Sequence, residues 1–116
     1  MAIGLTSGEA LRLWHAVHMH FVRDEQPDLS ARQMAILLTI YLEAPPHTVR
    51  GLAGKLAVSK PVITRALDSM GKHDLVTRRR DEQDRRNVLV QRTVKGALFL
   101  ERLGDTVRDL ARHIRD

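Results

Sequence analysis

Thr48-Val-Arg-Gly-Leu-Ala-Gly-Lys-Leu-Ala-Val-Ser59-Lys-Pro-Val-Ile-Thr-Arg-Ala-Leu-Asp68 holds two short helical patterns with two residues between them. In the first pattern Thr48 supplies an N-cap hydroxyl, and Val49, Leu52, Ala53 and Leu56 form a stripe at helical spacing. Ala57-Val58 is a tight connection. In the second pattern Ser59 is the cap and Pro61 sits in the first turn, where its missing N–H is tolerated. Ile63, Leu67 and Met70 then share one face, while Lys60, Thr64, Arg65 and Asp68 share the other. One side of this helix is built to be buried, and the other is polar and mostly basic.

Downstream the period changes. Leu75–Arg80 and Asn87–Arg92 are β-prone, and the wholly polar run Asp81–Arg86 between them reads as a hairpin tip. Two helices with a tight turn, followed by a hairpin with a charged tip, predict a winged helix-turn-helix. Each part has a physical use on duplex DNA. A helix fits the major groove, where base edges are distinguishable. The helix before it braces the backbone. Arginines on a hairpin tip suit the negative potential of a narrow minor groove.

Upstream, a helix is expected over residues 7–23, with Ser7 as its cap and Leu11, Trp14, Val17, His18 and Phe21 in one stripe. Arg23–Asp28 is polar, contains Pro27 and reads as a loop. Ser30 and Gln33 form a capping box for a second helix. Its apolar residues, from Met34 to Leu42, cover most of the circumference and belong in the core, and Pro45-Pro46 ends it. Thr93 caps a last helix carrying Ala97, Leu100, Leu103, Val107, Leu110 and Ile114, with Gly104 inside it. The expected fold is mainly α with a small β-hairpin: one domain over 1–116, a DNA-binding core over about 30–93, and flanking helices at 7–23 and 94–115 as a dimer interface.

Length and composition narrow the function. A chain of 116 residues, 43% hydrophobic and 3% aromatic, fits one compact domain that can bury a core. With no cysteine, thiolate zinc sites, cysteine nucleophiles and disulfide frameworks are excluded. No basic segment followed by a long apolar run opens the chain, so a cytoplasmic protein is expected. The net charge of +5 is unevenly spread. Residues 1–43 carry −2, residues 44–95 carry +7 and residues 96–116 are balanced. No acid lies between Glu43 and Asp68. A basic centre between balanced ends suits a polyanion-binding face.

From Leu29 to Leu103 the chain resembles the MarR family of bacterial transcription factors. The matching stretches are Leu29-Ser-Ala-Arg-Gln-Met-Ala-Ile-Leu-Leu, Thr48–Leu56, Ser59–Asp68, Leu75-Val-Thr-Arg78, Asp84-Arg-Arg-Asn-Val-Leu-Val90 and Thr93–Leu100. The resemblance implies a double-stranded DNA-binding regulator, a repressor working as a homodimer, with recognition helix 59–72 in the major groove and wing 81–86 in the minor groove. By the same resemblance the DNA-binding residues are Ser59, Lys60, Pro61, Val62, Thr64, Arg65, Arg78, Asp84, Arg85 and Arg86. Arg65 is the foremost base or phosphate contact. Asp84 shapes the wing through an ion pair, and Arg85 or Arg86 enters the minor groove. Alternation along the strand sends Arg78, Arg79 and Arg80 to different faces, so not all three contact DNA. Where Ala57 and Asp74 stand, family members frequently have glycine. The family also has a longer C-terminal helical region, so a smaller or rearranged dimer interface is expected. A small-molecule effector pocket, with Arg12, Trp14, His18 and Tyr41 as its lining, is a further implication.

Other functional classes are weaker. There is no phosphate-binding glycine loop, zinc-hydrolase histidine pair or serine nucleophile motif, so neither an enzyme nor a cofactor is expected. A winged-helix module binding only protein would have no need of the basic recognition face. His15 and His18 are i, i+3 neighbours and raise a metal-responsive variant, with Glu9, Asp24 and Glu25 as the local acids. Zinc requires three or four convergent ligands, so no metal site is expected.

Overall fold

The computed structural model describes residues 4–24 and 27–115. Glu25 and Gln26, in the loop expected after the first helix, lie outside the described residues, as do residues 1–3 and 116. The chain divides into two compact units, residues 29–100 and the segments 1–28 and 101–116.

The central unit is built in chain order from α2 (Ala31–Leu42), β1 (His47–Thr48), α3 (Val49–Leu56), α4 (Lys60–Lys72), β2 (Val76–Arg80), β3 (Val88–Arg92) and the start of α5 (Val94–Arg112). Ser30 and Gln33 close the capping box of α2: the Ser30 hydroxyl accepts from the Gln33 N–H and the Gln33 amide oxygen accepts from the Ser30 N–H. Ile36, Leu37 and Ile40 of α2 are fully buried, together with Leu52 of α3, Ile63, Leu67 and Met70 of α4, and Leu75. The apolar stripes of three helices thus meet in one core, which is what sets the exposed face of α4 outward.

The hairpin acquires a third strand that periodicity does not reveal. His47 pairs with Val90 and Thr48 with Leu89, so the sheet is antiparallel in the order β1-β3-β2. Two residues directly after Pro45-Pro46 are too short to display a period of two. In the wing, Val76 lies opposite Arg92, Arg78 opposite Val90 and Arg79 opposite Leu89.

The two positions lacking a family glycine both have left-handed backbone, Ala57 at φ 56° and Asp74 at φ 60°. Ala57 ends α3, donating its N–H toward the Ala53 and Gly54 carbonyls. The Cβ of alanine makes this conformation unfavourable. Ala57→Gly is therefore expected to raise unfolding stability by about 0.5–1 kcal/mol, measured by urea denaturation.

Tyr41 ties the central unit together. Its hydroxyl donates to the Leu75 carbonyl at 2.7 Å and accepts from the Thr93 N–H at 2.9 Å. Arg92 lies over the Tyr41 ring, and its Nε and Nη2 donate to the Ile40 and Glu43 carbonyls at the end of α2. Thr93 caps α5 through the Gly96 N–H and donates its hydroxyl hydrogen to the Asp74 carbonyl. The sequence-based expectation for Tyr41 is the lining of an effector pocket, but its hydroxyl is occupied by backbone.

The second unit contains α1 (Ser7–Arg23) and the end of α5. Thr6, not Ser7, is the cap of α1. The Thr6 hydroxyl accepts from the Glu9 N–H while the Glu9 carboxylate accepts from the Thr6 N–H, satisfying two otherwise open donors. That backbone bond, aided by the Thr6 hydroxyl and Arg115, holds the Glu9 carboxyl below its ordinary range. Within this unit Val17 and Ile114 are buried, whereas Leu11 and Trp14 are mostly exposed.

Candidate nucleic-acid interface

The face of α4 opposite its buried stripe carries the residues singled out by sequence. Lys60, Pro61, Thr64 and Arg65 are exposed, and Val62 is half-buried. Ser59 acts locally as a cap, its hydroxyl accepting from the Val62 N–H at 3.4 Å. Lys60 and Arg65 make no ion pair or side-chain hydrogen bond among the described residues, so both cations are available to a partner. Asp68, the acid on this face, is taken up by Arg78 of β2 at 2.6 Å. This pair fastens α4 to the wing and neutralises the one acid on the exposed face of that helix.

For Arg78 the sequence-based expectation is a DNA contact; in the structure its guanidinium is engaged by Asp68. The strand register separates its neighbours. Arg80 shares the face of Arg78 and donates Nη1 to the Arg85 carbonyl at 3.1 Å, whereas Arg79 points to the opposite side. Only a three-dimensional pairing reveals the role of Asp68, because its partner lies on a different element.

The wing tip is ordered by its own polar groups. The Asp81 N–H donates to the Asn87 carbonyl at 3.0 Å, and the Asn87 N–H donates to the Asp84 carbonyl at 2.9 Å. Asp84 accepts Nε and Nη2 of Arg86 on its two oxygens, both at 2.9 Å, and also the Arg86 backbone N–H at 3.2 Å. Asp84 thereby sets the direction of an Arg86 side chain that remains 76% exposed. Arg85 is exposed, and its guanidinium has no partner among the described residues. The α3 residue Arg50, absent from the sequence-derived set, lies close enough to help stabilise the Asp84 carboxylate.

The Arg86 side chain, followed by its backbone N–H and the charge of Arg50, holds the Asp84 carboxyl below the ordinary range; the same pair raises Arg86. A depressed acid keeps its ion pair above the unfolded value and loses it only as pH falls through the folded one. The Asp84 carboxyl carbon, followed by NMR, is therefore expected to titrate below an ordinary aspartate, and Arg86→Ala is expected to move it back toward the ordinary range, the backbone N–H and Arg50 remaining. An unshifted Asp84 would contradict the pair.

Two of the α1 histidines, His18 and His20, have local partners. His18 Nδ1 lies 2.9 Å from the Trp14 carbonyl, its ring packs edge-on against Trp14, and His20 faces Asp24 at 3.3 Å. Among the described residues no three His, Asp or Glu side chains are grouped to hold a metal. Among them, too, no helix is long and apolar enough to cross a membrane.

Comparison with known proteins decides the relationship. The MarR family pattern matches residues 29–88, from just before α2 to the first residue of β3. The chain belongs to the MarR family. Among the described residues the chain has five helices and a three-stranded sheet, and this mostly helical winged-helix fold matches solved MarR-like structures. The transcriptional regulator BldR from Sulfolobus solfataricus is 29% identical, with a TM-score of 0.64 over 90% of this chain and 75% of that one. A mutant MarR from E. coli complexed with operator DNA is 26% identical, with a TM-score of 0.69 over 91% and 74%. The S. aureus MepR-DNA complex, 20% identical with a TM-score of 0.70 over 90% and 80%, shows likeness of fold. No curated protein matches the chain. Within the MarR family assignment, the matched segment contains all ten sequence-derived contact residues, from Ser59 to Arg86.

Proposed function

We propose that this MarR-family chain is a cytoplasmic, sequence-specific double-stranded DNA-binding regulator, acting as a homodimeric repressor on a pseudo-palindromic site. The observation that carries this reading is the exposed α4 face. Lys60 and Arg65 are uncompensated there, and the local acid Asp68 is occupied by Arg78. The relative from E. coli, in its complex with operator DNA, supports DNA as the partner. Ser59 to Arg65 enter the major groove, where Arg65 offers two parallel donors to guanine or to a phosphate. Arg85 and the oriented Arg86 enter the minor groove. In a two-fold dimer the two recognition helices read half-sites about 34 Å apart, and occupancy of a promoter blocks access to it.

Gel-shift assays on genomic fragments at rising salt test this. A subset of fragments is expected to bind in preference to random DNA, and affinity is expected to fall about a thousand-fold between 50 and 200 mM salt, as release of counterions demands. Absence of any preferred fragment would overturn the reading in favour of a winged-helix module that binds protein. Light scattering at micromolar concentration is expected to return twice the chain mass of 13.2 kDa. A strictly monomeric mass would remove the dimer.

A further inference from the structure

The outward face of α4 is apolar where the helix begins. Pro61 and Thr64 are exposed and stand one turn apart. They share that face with Arg65 and with Asp68, which Arg78 occupies. Pro61 has no polar side-chain atom and no backbone N–H, so it offers nothing to a phosphate or to a hydrogen-bonding base edge. Val62 is half-buried and lines a shallow recess with Ser30, Arg32 and Gln33 at the start of α2. The Pro61 ring and the Thr64 γ-methyl are therefore the outermost apolar groups of the first turns.

The polar side chains of the same helix narrow what it can read. The α4 sequence contains no asparagine, glutamine or glutamate. Bidentate pairing with adenine needs a carboxamide, and the cytosine amino group needs an acceptor such as a carboxylate. The one carboxylate of α4, on Asp68, is held by Arg78. What the face presents is the donors of Lys60 and Arg65 beside an apolar surface. On the base edges of the major groove the group complementary to that surface is the thymine C5-methyl.

We propose that Pro61 and the Thr64 methyl group each read a C5-methyl group, so that every half-site is selected for methyl groups at two fixed positions. This inference rests on the DNA-binding function proposed above and names the base feature that its recognition face selects. It carries a further consequence. A 5-methylcytosine holds its methyl group at the same ring position as thymine, so it substitutes for thymine at these positions whereas cytosine does not. The face thereby distinguishes methylated from unmethylated cytosine. The partner base becomes guanine, whose O6 and N7 suit the donors of Lys60 and Arg65.

The test uses duplexes selected by the full chain from a randomised pool. Each thymine is replaced in turn by deoxyuridine, which lacks only the methyl group, and affinity is followed by fluorescence anisotropy. At two positions of each half-site the replacement is expected to weaken binding about four-fold, the worth of one buried methyl group. Pro61→Ala is expected to erase the penalty at one of these positions. Thr64→Ser, which keeps the hydroxyl and removes the methyl, is expected to erase it at the other. At both positions 5-methylcytosine is expected to bind about four-fold more tightly than cytosine. Uniform tolerance of deoxyuridine, or penalties that persist in both variants, would overturn the methyl readout while leaving DNA binding intact. Equal binding of cytosine and 5-methylcytosine would overturn the discrimination between them. A pool that yields no preferred duplex would overturn the DNA-binding function and this inference together.

Discussion

Replacing Gly96 by alanine is expected to destabilise the central unit by about 3 kcal/mol or more, at the upper end of what overpacking costs. Gly96 is buried in the first turn of α5. A Cβ at this position would lie 2.0 Å from the Tyr41 hydroxyl oxygen and 2.3 Å from the Leu75 carbonyl oxygen. Those two atoms are themselves hydrogen-bonded at 2.7 Å, so neither can yield without breaking the bond between α2 and the entrance to the wing. The Leu75 oxygen is backbone and moves only if the chain before β2 moves. For a chain of this size the loss corresponds to a fall in melting temperature of roughly 10 °C or more. Calorimetry of wild type and variant checks it. A fall of under 3 °C would mean that α5 shifts freely against Tyr41. Gly104, on the same helix, has open space where a methyl group would stand, with nothing within 4 Å, so Gly104→Ala is the control and is expected to be neutral or stabilising.

Arg65→Ala is expected to weaken specific DNA binding by about 10- to 100-fold while leaving the melting temperature within about 2 °C. The side chain is exposed and unpaired among the described residues, so its loss removes nothing from the core. What it removes is a guanidinium on the uncompensated face of α4. Two further readouts separate its possible targets. A base contact predicts relaxed preference at one position of the site, whereas a phosphate contact predicts uniform weakening and a salt slope smaller by about one. Unchanged affinity would take the α4 face out of the interface, because Lys60 would then be the remaining unpaired cation of the same face.

The extent to which the fold is legible follows from where the information lies. Capping chemistry is local, so Ser30 with Gln33, Thr48, Ser59 and Thr93 are readable from spacing and side-chain type. The first helix shows the limit: Thr6 and Ser7 carry equivalent hydroxyls, and Glu9 decides between them by completing a reciprocal pair with Thr6. The strand at His47–Thr48 is invisible in the sequence because it is defined by its partners Val90 and Leu89, more than 40 residues away along the chain. At the interface, the exposed side of α4 is legible for the same reason as its buried stripe, since one helical period dictates both. The pairing of Arg78 with Asp68 is not, because a run of three arginines does not say which of them meets an acid.

By itself the sequence determined the helices, the hairpin and the basic middle, all of which depend on periodicity, caps and side-chain order within single elements. The tertiary structure alone decided which charges remain available. Arg78 is neutralised by Asp68 of α4, while Arg65, Arg79 and Arg85 are left unpaired among the described residues. The physical reason is range. A helical period or a cap is settled within about four residues, but an ion pair forms between side chains that only the packed core brings within about 3 Å.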